Sequence, residues 1–271
     1  MIDQAGLLTV RNLAVHFRVV NHLIRAVDGV DFKVDANECV GIVGESGSGK
    51  STLIRVISRL MPNLRLDRIS GEVVFDGRDI LSMPDRELRA LRRSDGFSMI
   101  FQDPLGYLNP TQRVGRQIAE ALSPRGRTSD TARVHELLDE VGFPDPAGVA
   151  RRFPHELSGG MRQRVIIAIA LASDPKLLFA DEPTTALDAT VQLQVLETLY
   201  RLHKSRNMAV VIVTHDLGVV AEMCDRVYVM QTGKIIETAT TVDLFERPQH
   251  PYSARLVSLS QHRLAATESH A

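Results

Sequence analysis

Gly44 to Ser51 read GESGSGKS, a glycine-rich loop of the pattern G-x-x-x-x-G-K-[ST] placed directly behind the apolar run Cys39, Val40, Gly41, Ile42, Val43. Small residues at Gly44, Ser46, Gly47, Ser48 and Gly49, with Glu45 carried in the same turn, let successive backbone N–H groups converge on one anion. The Lys50 ammonium has the length to reach outer phosphates. The Ser51 hydroxyl, followed by Thr52, offers magnesium an oxygen ligand where a helix begins. Strand, loop and helix signals in this order describe a cradle for a nucleoside triphosphate.

Two further runs carry chemistry. Leu177 to Glu182 read LLFADE, an apolar strand that ends in adjacent carboxylates. Alternation along a strand points them apart, so Asp181 is placed to face magnesium through water while Glu182 polarises a water attacking the γ-phosphate. Leu157 to Met161 read LSGGM ahead of a long apolar helical stretch. Ser158 is an N-cap by type. The N–H groups of Ser158, Gly159 and Gly160, at the positive end of a helix dipole, can hold a second anion or simply start the helix.

The elements that must position these runs follow from periodicity. Apolar residues alternate from Leu8 to Phe17 and through Val30, Phe32 and Val34, predicting an N-terminal β layer. Thr52 to Leu60 has helical spacing, and Val73 to Phe75 runs into a turn at Asp76-Gly77. From about Pro84 to Ala172 the strand signal fades and helical patterns stand at Asp85 to Arg92, Ile118 to Leu122 and Thr131 to Val141, predicting a helical insertion with a surface loop at Ser123 to Asp130. Strand and helix then alternate through Leu177 to Phe179, Thr190 to Leu202, Val210 to Val213, Leu217 to Met223 and Val227 to Met230, the rhythm of a mostly parallel sheet.

Composition bounds the partners. The 271 residues are 44% hydrophobic and 24% charged with a net charge of -1, which supports one sizeable core and gives no bulk attraction to nucleic acid or anionic lipid. The N-terminus lacks a signal pattern, and Val165 to Ala172 is far shorter than the roughly 20 residues of a membrane span, so a cytosolic chain is expected. Cys39 and Cys224 lie in apolar contexts without C-x-x-C spacing, which suits buried reduced thiols.

The order of the motifs is itself informative: phosphate loop, Gln102, LSGGM, paired carboxylates, Asp188, and His215 behind the apolar Val210 to Val213 run. In this order the sequence resembles the ATP-binding subunits of ABC transporters over nearly its whole length. The resemblance implies an α/β P-loop NTPase (RecA-like) core with an N-terminal antiparallel β layer and an inserted α-helical subdomain at about 84–172. One ATPase domain would cover 1–261, with 262–271 as a flexible tail. It further implies that two such domains sandwich two Mg·ATP head to tail, Lys50 and Ser51 of one facing Ser158 and Gly160 of the other. Gln102 would contact magnesium or the attacking water and sense the membrane subunits. Glu182 would be the general base, His215 would hydrogen-bond the γ-phosphate and organise Glu182, and Asp188 in TALD would lie at the dimer seam. Phe17 is the candidate for stacking on adenine, with neighbouring His16 as the alternative and a core-facing role for Phe17 as another.

The tail narrows the resemblance. His250-Pro251-Tyr252 within about 246–261 is similar to the peptide and nickel importer branch, as are Phe153-Pro154-His155-Glu156, Phe101-Gln102-Asp103-Pro104 and Asp181-Glu182-Pro183-Thr184-Thr185-Ala186. Ser98-Met99-Ile100 is similar to the first of two paired ATPase types. This implies a second, different ATPase subunit, two transmembrane permease subunits, an extracytoplasmic substrate-binding protein and a place at the cytoplasmic face of the inner membrane. Peptides are the favoured cargo, with nickel chelates and other small solutes behind. Tyr107 stands where relatives have a small residue and is either a partner contact or loop decoration. No cysteine follows Cys224 in this sequence, so an iron–sulfur cluster beyond the HPY triplet is not expected on ligand count. The HPY triplet is expected to pack the C-terminus, not to catalyse. Two competing classes are a soluble ABC-type ATPase of DNA repair or translation, which usually carries insertions not seen here, and a nucleotide-binding module with degenerate catalysis, against which Lys50, Gln102, Glu182 and His215 all speak.

Overall fold

Residues 6–19, 22–61, 66–122, 130–185 and 187–268 are described in the computed structural model of the chain. In chain order they form β1 (Leu8–Val19), β2 (His22–Val34), β3 (Cys39–Val43), α1 (Lys50–Ile57), β4 (Leu66–Phe75) and β5 (Arg78–Asp79). Next come α2 (Asp85–Arg93), β6 (Phe97–Ile100), α3 (Pro104–Tyr107), α4 (Val114–Leu122), α5 (Thr131–Glu140), α6 (Pro146–Ala150), α7 (Gly159–Leu171), β7 (Leu177–Asp181) and α8 (Ala189–Arg206). The chain closes with β8 (Ala209–Thr214), α9 (Leu217–Met223), β9 (Arg226–Gln231), β10 (Lys234–Thr240), α10 (Thr241–Glu246) and α11 (Pro251–Glu268). Packing divides them into a first unit, up to Met83 and again from Val211, and a second, Pro84–Val210.

In the first unit an antiparallel sheet of order β2-β1-β4-β5 realises the alternating N-terminal pattern. Leu8 pairs with Val34 and Phe75, and Val10 with Phe32 and Val73, so one face is apolar and buried. The register slips near Asn12, whose φ of 45° marks the irregularity and whose N–H is taken by Asp31 Oδ1 at 2.9 Å. β3 lies parallel to β9, and β9 pairs antiparallel with β10. All five β3 residues are buried, which is why this strand is a continuous apolar run and not an alternating one. Cys39 and Cys224 are buried free thiols with Sγ atoms 3.9 Å apart; that contact and burial push the Cys224 thiol well up.

The second unit contains the helices expected between 84 and 172, but it extends further. Residues Phe97 to Ile100, in the stretch where the strand signal mostly fades, form β6 and pair in parallel with β7, Phe97 with Leu177 and Ile100 with Ala180. Four residues are too few for a pattern to stand out; the pairing partner, not the local sequence, makes them a strand. Because β6 needs β7, and α7 packs on α8, the unit runs on to Val210. Its helical part closes over Ile118, Leu122, Val134, Leu137, Leu138 and Val141, all buried. Glu140 at the end of α5 ties the layer together, taking Arg133 Nη1 at 3.1 Å and Arg206 Nε at 3.0 Å, while Asp174 takes Arg206 Nη1 at 2.9 Å.

The surface loop at Ser123 to Asp130 lies outside the described residues except for Asp130, whose side chain caps α5 by accepting the Arg133 N–H at 3.0 Å. The tail expected to be flexible from 262 is helical to Glu268 as the continuation of α11. Its Arg263, Leu264, Ala265 and Ala266 are strong helix formers, and helix formation needs less apolar content than independent folding does.

Candidate functional site

The phosphate loop of the first unit is built by close backbone approach. Gly44 has φ 152° and Gly49 φ 105°; a Cβ on them would stand 2.1 Å from the Met230 carbonyl oxygen and 2.2 Å from that of Ala26. Strand β9 and strand β2 therefore press on the two ends of the loop, and only glycine fits at either end. The loop closes on itself through Ser48 N–H to Glu45 O at 3.2 Å, and Gly233 N–H reaches Ser48 O at 2.9 Å. Lys50 is 4% exposed, and its ammonium donates to Gly44 O at 2.7 Å, Glu45 O at 2.8 Å and Ser48 Oγ at 3.4 Å. A buried cation is thus held over its own loop by neutral acceptors. α1 starts at Lys50 with Gly49 as N-cap, a residue without a side-chain acceptor, so Lys50, Ser51 and Thr52 begin the helix at its positive end.

The same loop is joined to the chain terminus, a link that local pattern did not reveal. Tyr252 in the HPY triplet is 8% exposed, and its hydroxyl accepts the Glu45 N–H at 2.9 Å. Burial pushes the Tyr252 phenol up, so it stays a neutral hydroxyl. Behind it, Glu237 on β10 accepts the N–H groups of Gln249 at 2.8 Å and His250 at 2.9 Å, and His250 Nδ1 accepts the Tyr252 N–H at 3.1 Å. Burial would raise the Glu237 carboxyl, but the Gln249 amide, the Ser253 hydroxyl and the His250 amide together outweigh it and hold it below its ordinary range. His215, also in this unit, follows β8 and is exposed just ahead of α9.

The second unit assembles the remaining residues. β7 is buried throughout and ends at Asp181, 0% exposed. Glu182 follows with φ 48°, a left-handed conformation uncommon for a non-glycine residue and of a kind that concentrates at functional sites. Its Oε2 accepts both Gln102 Nε2 at 2.8 Å and Thr185 Oγ1 at 2.8 Å. Gln102 and Glu182, 80 positions apart, are thereby brought together, with Thr185 as an unforeseen third member. Thr185 stands within the DEPTT run, but nothing in that spacing marks its hydroxyl as a partner for the carboxylate.

Ser158 is the N-cap of α7, its Oγ accepting the Met161 N–H at 3.3 Å. Ser158 and Gly159 are exposed, whereas Gly160 is buried against α8, where a Cβ would stand 2.2 Å from Val191 Cγ1. Asp188 is exposed and caps α8 through the Val191 N–H at 3.0 Å. Phe17 is half-buried opposite Ile24, while Leu13 and Val15 are fully buried; His16 Nε2 is 3.9 Å from Asp28 Oδ1. Tyr107 is 53% exposed and stacks on Phe101 with ring centroids 4.1 Å apart.

A buried strand feeding a glycine loop that begins a helix, in a chain that also carries a strand ending in Asp-Glu, defines an α/β P-loop nucleotide-binding cassette. The chain belongs to the ABC transporter family, whose model matches residues 27–185, and it is an ATPase of that type. It is 48% identical over 93% of its length to the probable peptide ABC transporter ATP-binding protein y4tR of Sinorhizobium fredii, covering 76% of that protein. It is 46% identical over 95% of its length to the oligopeptide transport ATP-binding protein OppD of Bacillus subtilis, covering 73% of it. Among solved structures it is similar to the ATP-binding cassette MJ0796 in a dimeric post-hydrolysis state bound to ADP and Pi, with a TM-score of 0.74 and 28% identity over 86% of this chain and 98% of that one. Among the described residues no helix is long and apolar enough to cross a membrane.

Proposed function

We propose that the chain is the motor subunit of a peptide importer, coupling Mg·ATP hydrolysis to uptake of peptides or a similar small solute through separate membrane subunits. The observation that carries this reading is that the likeness to proteins named for peptide transport runs through 92–95% of the chain. The motor would work at the cytoplasmic face of the inner membrane beside two permease subunits, a second ATPase subunit and, indirectly, an extracytoplasmic binding protein.

The residues fit the group they are proposed to hold. The Lys50 ammonium and the N–H groups of Gly47, Gly49, Lys50, Ser51 and Thr52 match a triphosphate in charge and shape, the Gly44 and Gly49 approaches having already fixed the loop. Magnesium prefers a few oxygen ligands plus phosphates, the donor set that the Ser51 hydroxyl, Gln102 and the Asp181 carboxylate supply. When bound, the ion neutralises charge on the phosphates. Glu182 is the proposed general base: its Oε2 is oriented by Gln102 and Thr185, and it takes the proton of the attacking water. His215 orients the γ-phosphate. Ser158, Gly159, Gly160 and Asp188 serve the partner subunit's nucleotide, and Phe17 stacks on adenine.

Glu182→Gln is expected to lower turnover by about 10²–10⁴-fold while ATP binding persists, and Lys50→Ala is expected to weaken binding itself. Unchanged turnover in Glu182→Gln would remove the base. Affinity purification of the Glu182→Gln subunit from native membranes with ATP should recover two multi-span proteins; recovery of soluble factors alone would overturn the importer reading.

A further inference from the structure

We infer that Tyr252 is a positioning residue of the phosphate loop, so that the C-terminal segment sets how tightly the loop holds a triphosphate; this rests on the loop assignment made above. Glu45 is gripped from both sides. Its N–H is taken by Tyr252 Oη at 2.9 Å, and its carbonyl oxygen by Lys50 Nζ at 2.8 Å. The peptide units on either side of Glu45 therefore link the phenol at one end of a chain of contacts to the ammonium that faces the phosphates at the other.

The phenol is itself aimed. Glu237 collects the Gln249 and His250 amides, and His250 Nδ1 takes the Tyr252 N–H. These bonds fix the turn that starts α11 and leave the Tyr252 ring buried with its hydroxyl at the loop. A residue serving only to fill space would need no such sequence of bonds, and phenylalanine would serve equally well. Without the hydroxyl, the Glu45 N–H loses its acceptor and the carbonyl that steadies Lys50 gains freedom to rotate, which weakens a preformed cradle before any phosphate arrives.

The test uses the full chain assembled with its membrane subunits. Tyr252→Phe keeps the ring and removes the acceptor. Its KM for ATP should rise about 3- to 10-fold, with kcat within about twofold, because the base and water geometry lie elsewhere. Glu237→Gln should raise KM in the same direction, and the double variant should add little to Tyr252→Phe alone, since both act through one phenol. A wild-type KM in Tyr252→Phe, or a lowered melting temperature with KM unchanged, would overturn the inference by leaving Tyr252 a packing residue. Calorimetric titration of Lys50→Ala with ATP separates the two readings. Normal binding there would sink the loop assignment itself, whereas lost binding beside a wild-type Tyr252→Phe would sink only the role of Tyr252.

Discussion

Gly160 is a point of close approach between α7 and α8, and a double-mutant cycle there tests the packing of the second unit. A Cβ would stand 2.2 Å from Val191 Cγ1, well inside any tolerable contact. Valine in a helix holds one χ1 rotamer about nine times in ten, so Val191 has no cheap way to turn aside. Overpacking of this kind costs about 1–3 kcal/mol, and alanine in place of glycine in a helix returns up to about 1 kcal/mol. Gly160→Ala should thus destabilise by about 1–2 kcal/mol, a fall in Tm of about 2–8 °C for a chain of this size. Val191 is half-buried, so removing its two methyl carbons costs about 0.8 kcal/mol, half the value for full burial. Val191→Ala also clears the space that the new methyl needs. The double variant should therefore be as stable as Val191→Ala alone or up to about 1 kcal/mol more so, a coupling of about 1–3 kcal/mol. The assay is urea unfolding of all four proteins with m-values compared. Additive single effects would show that the helices are not in contact at Gly160.

Glu140→Ala removes one of the two carboxylates shared by Arg133 and Arg206, which are 20% and 17% exposed and keep Asp174, and should cost about 1–3 kcal/mol in urea unfolding; a change below about 0.5 kcal/mol would mean the cluster behaves as an exposed surface pair. Glu237 yields a pH prediction. Its folded-state carboxyl lies below its ordinary value of about 4.3, so the unfolded chain binds the proton first and stability rises with pH through that window. The advantage of wild type over Glu237→Gln should be complete above about pH 5 and shrink as pH falls below about 4.3; a difference constant down to about pH 3 would refute the assignment.

The parts of the site legible in the sequence are those whose chemistry is contiguous. The phosphate loop, LSGGM and Asp181-Glu182 each carry their meaning in a few adjacent residues, because the backbone conformation and the functional group are specified together. β3, β7 and β8 were equally plain, since burial on both faces leaves a continuous apolar run. β6 was not, because its strand state comes from β7, 80 positions away in its register. Thr185 and Tyr252 were missed for the same reason. A hydroxyl reports nothing until its partner is known, and Tyr252 meets Glu45 across 207 positions. The extent of the second unit followed suit, being set by which strand β6 pairs with.

The left-handed backbone at Glu182 has an evolutionary consequence. A non-glycine residue in that region carries a cost of order 1–3 kcal/mol, which glycine escapes and asparagine reduces. With Glu182 as the proposed base, selection for heat resistance and selection for turnover draw position 182 toward different residues. A related cassette in which a glycine or asparagine has replaced this carboxylate would be expected to gain in melting temperature while binding nucleotide without cleaving it. In a two-cassette machine, such a chain is the natural origin of a silent partner.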